Sequence, residues 1–230
     1  ARRGRTVDPR RPGCAARART GPEDPARGAG AHRGGRSGHA RPTTPGAASL
    51  ALFTREIWAN PRAMGAACPS APALASGMAA RVPLERDGLV IELGGGTGAV
   101  TAALLKHGVL PWKLVVVERS PTLAHHLRQR FPQLRVIQGD AAQLGHLLGH
   151  PHPCLSSIVS SLPLRSLHPA TTRAVVQQFE TLLDSGGRLV QFTYDLRGTH
   201  PRLLPGFRRL SSKIVWSNLP PARVETFERI

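Results

Sequence analysis

The chain has 230 residues and a formal net charge of +17, with 31 Lys plus Arg against 14 Asp plus Glu. That length suits one domain with a substantial core, and no window reaches the roughly 20 consecutive apolar residues that would span a bilayer. Cys14, Cys68 and Cys154 make no C-x-x-C pair and, being odd in number, give no disulfide framework.

Residues 1–48 hold 11 Arg against Asp8, Glu23 and Asp24, with nine Gly, six Pro and no Leu, Ile, Met, Phe, Tyr or Trp. Such a segment cannot bury enough apolar area to offset its ordering entropy, so a disordered basic tail is expected. It has no apolar h-region, so no secretory signal is expected. A reducing cytoplasm is the simplest compartment. Residues 49–230 keep a net charge of +9, which suits an anionic partner, nucleic acid or an acidic membrane surface.

The folded domain is expected over 49–230, with N-terminal helices in 49–81 and a core in 88–230. Ser49 is a candidate N-cap, and Leu50, Phe53 and Ile57 follow at helical spacing beside Trp58, until Pro61 stops the helix. This short apolar helix, flanked by Arg55 and Arg62, suits either a membrane interface or the core. A second helix is expected from about Ala71 to Arg81.

Leu89-Val90-Ile91-Glu92-Leu93 then reads as a buried strand, followed by Gly94-Gly95-Gly96-Thr97-Gly98 and a helix over about Thr97–Gly108. Strand, tight glycine turn and helix is the opening unit of a nucleotide-binding βα fold. The dinucleotide fingerprint needs Gly where Ala99 stands, and no Lys-Ser or Lys-Thr follows as in a P-loop. Leu114–Val117 is a second buried strand ending in Glu118, 20 residues beyond Gly98. That is the spacing of the acid that takes ribose hydroxyls in such folds. A helix over Pro121–Phe131 leads to a strand at Leu134–Gln138, closed by Gly139-Asp140-Ala141. Ser157–Ser161 is a fourth strand, running into Leu162-Pro163-Leu164. His168-Pro169 starts a helix to about Leu183, Ser185-Gly186-Gly187 turns into a fifth strand at Arg188–Tyr194, and 195–209 reads as a basic loop. Two runs, Lys213–Ser217 and Arg223–Arg229, close the chain around Leu219-Pro220-Pro221.

Ligands of open α/β sheets sit outside the carboxyl ends of the strands. Here those ends supply Glu92 with its glycines, Glu118, Asp140-Ala141 and Ser160 to Leu164. Three acids at consecutive strand ends are not placed there for stability, because an unpaired buried charge is costly. The set resembles the class I S-adenosylmethionine-dependent methyltransferases. The resemblance implies a Rossmann-like α/β sandwich with a seven-stranded, mostly parallel sheet in the order 3-2-1-4-5-7-6. It also implies S-adenosylmethionine as cofactor. Gly94, Gly96 and Gly98 would pass under its methionine part, Glu118 would hold the ribose, and Asp140 and the Ala141 N–H the adenine, with Glu92 and Ser160 completing the site. No metal is expected.

The stretch after strand four bears on the acceptor. Adenine-N6 methyltransferases carry Asn and an aromatic here, which stacks on the base, whereas Ser161-Leu162-Pro163-Leu164 has neither. Losing such stacking removes about 1–3 kcal/mol, which argues against a nucleobase. Phe53 with Trp58 and Pro61, Met64 to Ser70, Glu92 to Leu104, Gln138 to Ala141, Ser160 to Leu164, Val190 to Tyr194 and Val215 to Val224 together resemble the bacterial phospholipid N-methyltransferases, the type similar to rRNA adenine dimethylases. That family implies stepwise methylation of phosphatidylethanolamine towards phosphatidylcholine. It also implies peripheral binding through residues 49–62 to an anionic membrane, at the inner face of the cell membrane. Tyr194, Ser161 and Leu162 are the candidate catalytic positions: Tyr194 to hold the amine, and the backbone of the Ser161-Leu162 turn to accept from it. His168 is a second candidate base, and Arg197, Arg202, Arg208 and Arg209 are candidates for a lipid phosphate. The alternatives are an rRNA adenine dimethylase-like enzyme, a non-catalytic cofactor-fold binding protein, and a related acceptor such as ornithine lipid.

Overall fold

The computed structural model describes residues 72–199, 203–218 and 220–230. The expected tail, the Ser49–Pro61 helix, the Met64–Ser70 segment and Arg202 lie outside them.

The elements run α1 (Pro72–Ala79), β1 (Leu89–Leu93), α2 (Ala99–His107), β2 (Leu114–Glu118), α3 (Pro121–Arg130), β3 (Arg135–Gln138), α4 (Leu144–Leu148), β4 (Leu155–Ser160), α5 (Pro169–Leu182), β5 (Leu183–Thr193), β6 (Phe207–Val215) and β7 (Ala222–Arg229). They build one seven-stranded sheet in the order β3-β2-β1-β4-β5-β7-β6. The first five strands are parallel, and β7 is antiparallel to both neighbours. This is the expected order.

Period-two alternation divides each strand between two apolar layers. Val90, Val116, Val159, Val190 and Val224 pack with Leu74 and Met78 of α1, Val100 and Leu104 of α2, and Leu127 of α3. Ile91, Val115, Ile158, Leu189 and Phe227 pack with Leu144 of α4 and Val175, Phe179 and Leu182 of α5. Helices on both faces explain why β2 is buried at every position, and hence why it reads as an unbroken apolar run.

The short α4 and the start of β4 at Leu155 were not expected, and two larger differences from the sequence reading lie in β5 and β6. Ser185-Gly186-Gly187 is not a turn before the fifth strand: β5 starts at Leu183, directly after α5, and pairing jumps from Leu155↔Leu183 to Ser157↔Arg188. Gly186, at φ +83°, absorbs the irregularity. β6 begins at Phe207 rather than Lys213. It is the edge strand, largely exposed, so Arg208, Arg209, Ser211 and Ser212 lack the alternation that betrays a half-buried strand. Arg208 and Arg209 pair with Glu228 and Glu225 of β7. No helix among the described residues is long and apolar enough to cross a membrane.

Candidate active site

The five parallel strands end together at one edge of the sheet. Leu93 pairs with Val117 and Ser160, Glu118 with Gln138, and Ser160 with Gln191. Backbone hydrogen bonds stitch the loops beyond: Gly94 N donates to Val117 O at 2.8 Å, Ser161 N to Leu93 O at 2.9 Å and Gly139 N to Glu118 O at 3.0 Å. Glu92 to Gly98, Glu118, Asp140-Ala141, Ser160 to Leu162 and Tyr194 are therefore brought to one edge.

The glycines serve two purposes. Gly94, Gly96 and Gly98 have φ of +77°, +54° and +84°, angles that L side chains rarely adopt. A Cβ on Gly94 would stand 3.3 Å from Leu162 Cδ2, so this glycine forms a cradle against the β4 loop. A Cβ on Gly98 would meet Phe131 Cε2 at 2.4 Å, and one on Gly95 would meet Val116 Cγ1 at 2.5 Å. Those two are fixed by packing under α3, not by the approach of a ligand.

Glu118 is 8% exposed; its Oε2 accepts from Gly96 N at 3.0 Å and its Oε1 from Ser120 N at 2.8 Å. The loop thus holds the carboxylate in place, and each oxygen keeps a further lone pair for a ligand hydroxyl. Asp140 caps the short 3-10 turn at Ala141–Gln143, its Oδ1 accepting from Ala142 N at 2.9 Å. Glu92 lies fully buried in β1 between Val116 and Val159. Neither of its oxygens meets full hydrogen-bond geometry with a described residue, Thr101 being the polar neighbour within reach. Burial, reinforced by the charge of Glu118 and opposed by neighbouring Thr101, pushes its carboxyl up to about 8. At neutral pH this group is mostly a neutral acid.

On the β4–β5 side, Ser160 is buried and its Oγ accepts from Leu162 N at 3.3 Å, while Ser161 Oγ is buried without a partner among the described residues. The Leu162 carbonyl already accepts from Gln191 Nε2 at 2.8 Å and Leu164 N at 2.9 Å. Both of its lone pairs are used, so this carbonyl is not open to an incoming amine. Leu164 is 5% exposed and belongs to the apolar layer beneath α5. Tyr194 stands edge-on to Phe192, ring centres 5.4 Å apart. It lines a pocket of about 240 Å³ with Gln191, Asp195, Arg165 and Thr199. His168 is the N-cap of α5, Nδ1 accepting from Ala170 N at 3.3 Å, which accounts for its position without catalysis. The ion pairs of Arg208 and Arg209 with β7 likewise occupy two of the arginines considered for a phosphate.

Sequence reasoning missed Gln191, Arg165 and Asp195. Gln191 had one signal: a single amide inside the apolar run Leu189 to Phe192 of a central strand. Nothing local marked Arg165 and Asp195, which pair across 30 residues of chain.

A glycine cradle, a pinned acid at the end of β2 and a second acid at the end of β3 fit a nucleoside-bearing ligand. Residues 90–187 match the family model described as a methyltransferase domain. The fold is that of the class I S-adenosylmethionine-dependent methyltransferases. Among curated proteins, the chain is 27% identical over 179 residues to an ornithine lipid N-methyltransferase of Singulisphaera acidiphila, covering 74% of this chain and 91% of that one. A 54-residue segment is 43% identical to ribosomal RNA small subunit methyltransferase A of Chlorobium chlorochromatii, covering 24% of this chain and 19% of that protein. Among solved structures, a Burkholderia thailandensis 1,6-didemethyltoxoflavin-N1-methyltransferase, crystallised with its substrate and S-adenosylhomocysteine, superposes with a TM-score of 0.56. It shares 18% identity, with 83% of this chain and 92% of that one covered, a likeness of fold.

Proposed function

We propose that this protein is an S-adenosylmethionine-dependent methyltransferase that acts on the amine of a membrane amino-lipid, methylating phosphatidylethanolamine stepwise towards phosphatidylcholine. The observation that carries this reading is the acceptor side of the site. The Ser161–Leu164 loop offers no aromatic to stack on a base and sends Leu164 into the core, while the neighbouring pocket holds a tyrosine and both signs of charge. The similarity to an ornithine lipid N-methyltransferase along most of both chains supports an amino-lipid acceptor.

When bound, S-adenosylmethionine supplies an electrophilic methyl group for in-line displacement by a nitrogen. Glu118 holds the ribose hydroxyls, Asp140 and the Ala141 N–H the adenine edge, and Gly94 and Gly96 let the backbone approach the methionine part. The remaining residues position rather than react. A primary ammonium near pKa ~10 must lose a proton before it attacks. Tyr194 holds the cation against its ring until then. Residues 49–62 bind the anionic membrane at its inner face; deleting 49–60 should abolish sedimentation with anionic liposomes while cofactor binding persists.

The runner-up is an adenine dimethylase acting on RNA, favoured by the basic charge and by the short segment shared with ribosomal RNA methyltransferases. Incubation with labelled S-adenosylmethionine separates the readings. Label should enter anionic liposomes containing phosphatidylethanolamine, with ornithine lipid liposomes and ribosomal RNA as parallel acceptors. Label in RNA and none in either lipid overturns the proposal.

A further inference from the structure

We infer that the pocket between the β4–α5 loop and the end of β5 receives a zwitterionic headgroup, with Asp195 and Gln191 taking its ammonium and Arg165 its anionic group. This inference rests on the amino-lipid reading above and names how that lipid is recognised.

The pocket is walled by groups of opposite demand. Arg165 Nη1 and Asp195 Oδ2 form an ion pair at its rim, their side chains 53% and 25% exposed. Partly exposed pairs of this kind are weak, so both partners can exchange each other for the two ends of a zwitterion at little cost. An amine without an anion would strand the guanidinium, and an anion without an amine would strand the carboxylate. Asp195 is already oriented, since its Oδ1 accepts from Arg197 N at 2.8 Å.

Gln191 supplies an independent indication. It is 2% exposed, and its Nε2 donates to Leu162 O and to Phe192 O, both at 2.8 Å. Both N–H groups are thereby spent and the amide orientation is fixed, yet Oε1 is buried with no partner among the described residues. Buried acceptors are normally satisfied, and an ammonium N–H in the pocket would satisfy this one. The same amide grips Leu162, whose side chain abuts Gly94. Leu162 thus links the pocket's amide to the glycine loop at the same edge of the sheet.

The shared chemistry is an amine and an anion on one small headgroup. The anion is a phosphate in phosphatidylethanolamine and a carboxylate in an ornithine-type lipid. The test is calorimetry on the full chain saturated with S-adenosylhomocysteine, titrated with glycerophosphoethanolamine, Nα-acetylornithine, ethanolamine and glycerol phosphate. At least one zwitterion should bind about tenfold more tightly than either single-charge fragment. Whichever zwitterion binds identifies the anion. Asp195→Asn and Arg165→Ala should each weaken it about tenfold, Arg165→Lys should recover part of the loss, and S-adenosylhomocysteine affinity should not change. Zwitterion binding no tighter than the fragments, or indifferent to both variants, overturns the inference. Lipid methylation with unchanged KM in both variants overturns the pocket and leaves the functional reading standing. Charge-dependent zwitterion binding without any lipid methylation does the reverse.

Discussion

Along the β1–β3 side of the carboxyl edge, the polar groups that face the site are held by backbone: Glu118 by Gly96 and Ser120, Asp140 by Ala142. Along the β4–β5 side backbone contacts orient Gln191 and Asp195 but leave groups unmet: Ser161 Oγ and Gln191 Oε1 are buried with no partner among the described residues, and Asp195 Oδ2 is tied to a half-exposed arginine. A preorganised half suits a ligand that is the same at every turnover. A half with unmet hydrogen bonds and an exchangeable ion pair becomes complete only with an acceptor in place. Glu92 is the exception on the first side, a buried acid without full hydrogen-bond geometry that lies beneath the loop rather than in it.

The sharpest way to break the preorganised half is through its packing. Gly98→Ala combines a left-handed φ of +84° with a Cβ 2.4 Å from Phe131, and should cost roughly 2–5 kcal/mol in denaturant unfolding. Gly108→Ala provides the control, a left-handed position at φ +112° and ψ 8° whose new methyl would stand 3.1 Å from the exposed Leu84 side chain, and should cost about 1–2 kcal/mol. Equal losses would show that the Phe131 contact does not fix the glycine.

Next in size is the loss of the pinned acid. Glu118→Ala removes the acceptor for two loop N–H groups and for the ribose. It should weaken S-adenosylmethionine binding by about 10–100-fold, with Glu118→Gln between it and the wild type. Unchanged affinity by calorimetry would reject the ribose assignment. The half of the edge that carries Asp195 should be untouched by it, so headgroup-analogue binding is the readout that separates the two.

Glu92 gives a pH-dependent version of the same contrast. Its folded carboxyl lies at about 8 against an ordinary value of 4.5, mainly through burial. Folding therefore favours the protonated form. The contribution is fully present below the ordinary value and is lost as pH rises towards about 8. The wild type should lose stability relative to Glu92→Gln over that window, with a slope of at most about 1.4 kcal/mol per pH unit. Urea unfolding of both proteins at mildly acidic and mildly alkaline pH measures it. A difference that stays flat across this window would mean that Glu92 is already ionised in the native fold.

The preorganised half was also the legible one. Its acids follow apolar runs at strand ends and its glycines are consecutive, so each signal lies within a few residues of the next. The other half depends on contacts made across the fold. Arg165 and Asp195 are unremarkable loop residues until β4 and β5 lie side by side. The order of the sheet followed from resemblance, but the start of β6 did not, because an edge strand exposed on both faces has no buried side to impose alternation. The helical punctuation was read correctly at Pro121 and Pro169, where a proline in the first turn has a local cause. It was misread at Ser185-Gly186-Gly187, where glycines mark an irregular strand instead of a turn. Gly98 shows the limit of a motif: the sequence places it in the loop, but only Phe131 explains why no larger residue fits.

The smallest expected effect concerns His168, which stands at the start of α5 beside the acceptor loop. Its Nδ1 accepts from Ala170 N at 3.3 Å, so a neutral ring with Nδ1 unprotonated is the capping form. His168→Ala should cost about 0.5–2 kcal/mol as a lost N-cap, and His168→Asn should recover most of it, because Asn caps as well as any residue. Neither variant should alter kcat or its pH profile, since the proton-bearing amine is assigned to the pocket behind the loop. A kcat that falls in both variants, with loss of a limb near the histidine range, would make His168 the base. It would also move the chemistry from the β5 side of the edge to the tip of α5.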